Sequence, residues 1–180
     1  NNDIFLSGSH AVKAEYPMKS DELSYAAKRF GDVYERFLKD SGAKVYYSVI
    51  PDKAYFVEDG ADVLKMDYDA FLEEYSESMS FAEYIDIMPH LTLNDYYSTD
   101  THWRQEFIIP VAHELISAMG ATPTAEYEMV DTEVPFYGVY SGQSAVTLDP
   151  DSLFYLDSDV FDGVSVYDFE TAGEVPVYDM

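Results

Sequence analysis

Two short apolar runs, each following an amphipathic stretch and each stopped by a proline, constrain this chain more than any other feature. Val45-Tyr46-Tyr47-Ser48-Val49-Ile50 is β-branched and aromatic, alternates little, and ends at Pro51. Such a run predicts a strand covered on both faces, as in a parallel sheet. Ahead of it, Ser20-Asp21-Glu22-Leu23 puts acidic residues where the helix dipole favours them. Ala26, Ala27, Phe30, Val33, Tyr34, Phe37 and Leu38 then recur at spacings of three and four, which predicts an amphipathic helix closing near Asp40-Ser41-Gly42. The pattern repeats over residues 67–79, with Tyr68, Phe71, Leu72 and Tyr75 on one face, followed by Tyr84-Ile85-Asp86-Ile87-Met88 and Pro89. Helix, strand, helix, strand is the signature of an α/β layer structure.

The flanks differ. Residues 1–16 are mixed in character, with a turn at Ser7-Gly8-Ser9, and form either a frayed or a pairing extension. After Trp103 another helix is expected to about residue 119, kinked or broken at Pro110 and closed by Gly120. Beyond Gly120, residues 126–130, 152–156 and 164–169 read as strands between Asp, Gly and Pro turns, with no helical period. The expectation is one domain, residues 1–180, with an α/β core at 21–120 and a β-rich section at 121–180.

Composition narrows the partners. The 180 residues hold 35 Asp and Glu against 10 Lys and Arg, a formal charge of −25, yet 47% hydrophobic and 16% aromatic residues argue for a packed core over disorder. So negative a surface repels phosphate backbones and anionic lipid, so neither nucleic acid nor a membrane surface is expected. The absence of cysteine excludes disulfides, thiolate zinc sites and a cysteine nucleophile. No apolar run reaches the ~20 residues that span a bilayer, and nothing at Asn1 reads as a signal peptide. Seventeen Tyr, eleven Phe and one Trp suit neutral, partly apolar ligands such as sugars, although most of these rings are expected in the core.

The strongest constellation is Tyr96-Tyr97-Ser98-Thr99-Asp100-Thr101-His102-Trp103. In an extended segment Asp100 and His102 leave the same side of the backbone. The carboxylate then accepts from one imidazole nitrogen, and the other nitrogen is free to take a proton from a hydroxyl. Trp103 either shields the pair or offers a sugar-stacking face. Taken on spacing alone, Asp-x-His is common and more often structural than catalytic.

Residues 97–103 resemble the Tyr-x-Thr-Asp-x-His-Trp element of the DHHW proteins, which are similar to the alginate O-acetylation proteins of the SGNH-hydrolase-like superfamily. Residues 45–53, a strand ending Ile50-Pro51-Asp52-Lys53, are similar to the strand-Pro-x-Lys segment ahead of that motif. Pro135-Phe136-Tyr137-Gly138-Val139-Tyr140-Ser141 is similar to the family's Phe-Tyr-Gly segment. The resemblance covers most of residues 23–144; one position departs from it, Thr101 standing where the family has His. It implies a three-layer, SGNH-hydrolase-like (flavodoxin-like) α/β sheet, here incomplete, with a β-rich C-terminal section. It also implies a Ser-His-Asp esterase or acyltransferase layout with Asp100 as orienter and His102 as general base. Tyr97, Trp103 and Lys53 are then candidate substrate-binding residues, Lys53 holding an oxyanion or carboxylate just beyond a strand end, with a surface ion pair to Asp52 or Glu58 as its alternative.

The family's serine lies in a later Asp-Ser segment. Here Asp40-Ser41 closes a helix, while Asp151-Ser152 and Asp157-Ser158 fall in the β-rich tail with no helix after them. Ser141 and Ser144 form no Gly-x-Ser-x-Gly elbow. The expectation is therefore a shortened member without the nucleophile-bearing part, inactive as this polypeptide alone.

No cofactor and no metal site are expected. His10, His90, His102 and His113 show no paired ligand spacing. Asp157-Ser158-Asp159-Val160-Phe161-Asp162-Gly163 places Phe161 where a calcium loop needs an oxygen, so a turn is expected there. The function that the DHHW resemblance implies is an extracytoplasmic, Gram-positive-type esterase or O-acyltransferase lineage acting on acylated envelope or exported polysaccharide. The alternative is a non-catalytic envelope module that binds glycan or protein.

Overall fold

The computed structural model describes residues 3–58, 63–144 and 147–177. The chain opens with a hairpin, β1 (Ile4–Ser7) and β2 (His10–Lys13), turned at Gly8, whose φ of +58° suits a residue without Cβ. It is no frayed extension. Ala11 and Val12 are fully buried, and the Ala11 amide donates to the Ser98 carbonyl at 2.9 Å.

Helix α1 (Ser20–Val33) continues as a single π turn, Tyr34–Leu38, before Gly42 adopts φ +75°. The anticipated apolar face is corrected here. Ala27 is buried and Tyr34 stacks on Phe81, but Phe30, Val33 and Phe37 are exposed. Helix α2 (Tyr68–Ser78) starts at Asp67, whose side chain accepts from the Ala70 amide.

The two expected strands shrink to β3 (Tyr46–Tyr47) and β4 (Glu83–Tyr84), which pair in parallel. Side chains take over where the ladder would continue. Ser48 Oγ donates to the Ile85 carbonyl, and Asp86 folds back to accept from the Met88 amide. A 3₁₀ turn at Gln105–Phe107 separates the site loop from helix α3 (Ile109–Ala118), so Pro110 sits in a first helical turn, where its missing N–H costs nothing.

The β-rich section holds a long antiparallel pair, β5 (Glu128–Phe136) with β6 (Asp151–Asp157), whose register shifts between Asp131 and Pro135. A short helix, α4 (Val139–Gln143), lies between them, and a small hairpin follows, β7 (Val166–Asp168) with β8 (Gly173–Val175). The fold is mixed α/β, and among the described residues each of its sheets is two-stranded. No helix among these residues is long and apolar enough to cross a membrane.

Three apolar clusters bracket the loop of residues 96–103. Val12, Ala54, Val57 and Tyr68 form one; Ile85, Ile87, Leu91 and Val111 form another, with Trp103 packed on it; Ile4, Ala11 and Tyr140 form the third.

Candidate active site

The loop begins and ends on an antiparallel bridge between Tyr96 and Trp103 and closes tightly between them, the Tyr97 amide donating to the His102 carbonyl at 3.1 Å. Asp100 and His102 therefore do not meet across a strand pleat. They meet in an Asx turn: Asp100 Oδ1 accepts the His102 backbone N–H at 3.0 Å and lies 2.6 Å from His102 Nδ1. The same spacing of two thus brings the pair together by a different local geometry.

The two side chains differ sharply in exposure. Asp100 is 5% exposed and His102 is 76% exposed. Asp100 Oδ2 is held by the Val139 amide at the start of α4, at 2.9 Å. Burial alone would raise the Asp100 carboxyl, but the amides of Val139 and His102 and the imidazole outweigh it and hold the group below its ordinary value. An ionised Asp100 fixes the imidazole's orientation and stabilises the imidazolium formed when Nε2 takes a proton. Among the described residues, nothing hydrogen-bonds to Nε2.

Asp100 is positioned by residues far away in sequence. Asp151, at the head of β6, accepts from the Ser98 amide (2.8 Å), the Thr99 amide (2.9 Å) and Thr99 Oγ1 (2.7 Å). Thr99, fully buried, in turn accepts the Gly138 amide on Oγ1, and its carbonyl accepts the Tyr140 amide. Gly138 is indispensable for a steric reason. A Cβ there would stand 2.4 Å from Asp100 Cβ, 2.5 Å from the Thr99 carbonyl oxygen and 2.7 Å from Asp100 Oδ2. Sequence reasoning saw Gly138 only within a resembling segment and Asp151 only as half of an Asp-Ser pair. The available signals were a glycine followed by a helix start and a carboxylate beginning a strand.

The other anticipated residues lie elsewhere than expected. Lys53 makes no surface ion pair and is not open to a substrate oxyanion: it is 3% exposed, and its ammonium donates to the carbonyls of Tyr97 (2.7 Å), Asp100 (2.8 Å) and Ser98 (3.3 Å). Three carbonyls use up its three protons. Desolvation lowers it to about 8, against the opposing attraction of Asp151 and Asp100. Tyr97 is buried, its ring packed on Phe136 at 4.9 Å, so it presents no free face. Trp103 is half-buried against the cluster of Ile85, Ile87, Leu91 and Val111. Thr101, where the resembling family has His, is exposed on the loop near the Tyr140 hydroxyl.

The candidate serines are dispersed. Ser152 lies on β6, Ser158 caps a 3₁₀ turn and donates to the Glu126 carbonyl, Ser41 donates to the Leu38 carbonyl, and Ser141 Oγ is buried without a hydrogen-bond partner among the described residues. His10 is buried beside Lys53, and His90 lies 3.3 Å from Glu114. Among the described residues no group of three His, Asp or Glu side chains is placed to hold a metal ion.

PatB1 of Bacillus cereus superposes with a TM-score of 0.68 at 15% identity, over 92% of this chain and 62% of its own. A DHHW family protein of Eubacterium siraeum gives 0.67 at 15% identity, over 87% and 55%. The O-acetyltransferase domain of Pseudomonas putida AlgJ gives 0.63 at 14% identity, over 87% and 66%. This chain shares their fold. The neighbours therefore include a DHHW family protein, the family that residues 97–103 resemble in sequence. The chain spans roughly three-fifths of the length of these structures. No protein-family model matches the sequence, and none of the curated proteins does.

Proposed function

We propose that this chain carries the acid–base pair of an SGNH-like esterase or O-acyltransferase that moves acyl groups on hydroxyls of envelope or exported polysaccharide. His102 Nε2 takes the proton of the attacking alcohol, and Asp100 holds the ring and stabilises the resulting imidazolium. The alcohol comes from outside the described residues, as a serine of the whole protein or a hydroxyl of the substrate. On this reading residues 21–120 are the α/β core of a three-layered domain, residues 121–180 its β-rich section, and the setting is extracytoplasmic.

One observation carries the reading: an exposed imidazole with one nitrogen bound to a buried carboxylate and the other without a hydrogen-bond partner among the described residues. An imidazole serving only the fold would be buried, with both nitrogens on structural partners. The matched O-acetyltransferase domain of AlgJ supports the reaction class.

The test is acetyl-ester turnover by the intact protein, on 4-nitrophenyl acetate and on an O-acetylated oligosaccharide. Because the His102 side chain is exposed, His102→Ala leaves the fold standing, and turnover is expected to fall by about 10²–10⁴-fold. Turnover unchanged in that variant removes His102 from the chemistry. An intact protein that binds the oligosaccharide yet turns over no ester favours the non-catalytic binding module instead.

A further inference from the structure

We propose that Lys53 and Asp151 are a pair of opposite charges that fix the direction of the peptide groups before Asp100, and so position Asp100 against His102. The inference rests on the catalytic reading of that pair. Its basis is which atoms face which charge.

The peptide joining Tyr97 and Ser98 points its carbonyl at Lys53 Nζ (2.7 Å) and its N–H at Asp151 Oδ1 (2.8 Å). The next peptide, joining Ser98 and Thr99, does the same, its carbonyl 3.3 Å from Nζ and its N–H 2.9 Å from Asp151 Oδ2. Two successive peptide dipoles of about 3.5 D each thus span the ammonium and the carboxylate with their negative ends on the cation. Flipping either peptide would turn a carbonyl toward a carboxylate and an N–H toward an ammonium. The Asp100 carbonyl, 2.8 Å from Nζ, extends the same constraint to the residue that holds the imidazole.

The elements involved show why both charges are needed. Lys53 begins a 3₁₀ turn (Lys53–Phe56) two residues after Pro51, and Asp151 begins β6 in the β-rich section. The loop is gripped from both parts of the fold at once. Burying an ammonium is expensive, and a packed apolar side chain would serve stability as well or better. What an apolar residue cannot do is orient a dipole. Both are positioning residues: neither bonds to the imidazole.

The experiment uses the intact protein carrying Lys53→Met, Asp151→Asn or both, with turnover expressed per folded molecule and KM measured alongside. Each single variant is expected to lose about 10²-fold in kcat, the scale of a misplacement near 1 Å, with KM unchanged. The double variant is expected to lose little more than the worse single one, because the charges act through the same peptides. Faster amide exchange at Ser98 and Thr99 should accompany the loss. A lysine that only supported the fold would lower the melting temperature and leave kcat per folded molecule intact; that result, in both single variants, overturns the proposal. Should Lys53→Met fail to fold, Asp151→Asn keeps the side-chain volume and decides by the same readouts. If His102→Ala retains full turnover, the catalytic reading falls by itself. The clamp is then judged by amide exchange alone: unaltered protection of Ser98 and Thr99 contradicts it, and loss of protection upholds it.

Discussion

The loop of residues 96–103 and helix α1 are held by opposite means. The helix has a regular backbone and a clear apolar period, yet Phe30 and Val33 on that period are exposed, as is Phe37, at 71%, in the π turn that continues it. The loop has no ladder beyond the Tyr96–Trp103 bridge, yet Thr99 and Asp100 are buried and its polar groups are bonded to β2, the Lys53 turn, α4 and β6. Local hydrogen bonds are enough to shape a helix whatever covers it. A loop of turns keeps one conformation only if distant groups satisfy its backbone, because buried, unpaired amides and carbonyls are too costly to leave. Regularity and definition are therefore separate properties here, and the candidate chemistry sits on the irregular element.

Glycine makes the contrast measurable. Gly138→Ala is expected to have the largest effect, because its Cβ meets Asp100 and the Thr99 carbonyl at contacts no rotamer can relieve. The cost should be about 1–3 kcal/mol by denaturant unfolding, together with loss of most turnover as Asp100 is displaced. Retention of both stability and turnover would mean that the close packing of α4 on the loop does not matter.

Next comes a dependence on pH. Lys53 has a folded-state value of about 8 against an ordinary 10.5, so between those values the unfolded chain binds more protons than the folded one. Through this group, stability rises as pH climbs from about 8 toward 10.5 and is insensitive to pH below that window. Turnover should run the other way and decline above pH 8, since a neutral amine keeps only two of the three donors that hold the loop. Asp100, Asp151, Tyr140 and His10 are the titratable groups around Lys53. Comparing the parent with Lys53→Met by chemical denaturation across pH 7–11 isolates the effect: the rise should vanish in the variant, and a rise that persists assigns it to another group.

The smallest effect belongs to the helix. At Gly31 a Cβ would meet only Phe81 Cε1, at 3.7 Å. Gly31→Ala should raise stability by about 0.5–1 kcal/mol through helix propensity alone and leave turnover untouched. A loss of stability at this position would show that α1 is more tightly constrained than its exposed face suggests.

What could be read from the sequence divides along the same line. Helices α1 and α2 follow from spacing, because their bonds lie within the segment that carries the pattern. The strands at 45–50 and 84–88 come out far shorter than their composition suggests. Pairing depends on neighbours that a run of apolar residues does not specify, and Ser48 and Asp86 divert the backbone locally. Within the site, Asp100 and His102 could be singled out because their chemistry is contained in three residues. Lys53 was visible as a rare cation, but its burial follows from carbonyls 44 to 47 positions away. Asp151 and Gly138 show in the sequence only as a carboxylate beginning a strand and a glycine before a helix start; their importance arises from what the fold sets beside them.

The most direct measurement is the nitrogen NMR spectrum of the His102 imidazole in its neutral form. The Asp100–Nδ1 contact requires the ring proton to reside on Nδ1, leaving Nε2 as the unprotonated base, and Asp100→Asn should abolish that preference. A neutral ring carrying its proton on Nε2, or exchanging between the two sites as a free histidine does, would contradict a carboxylate-steered base at this loop.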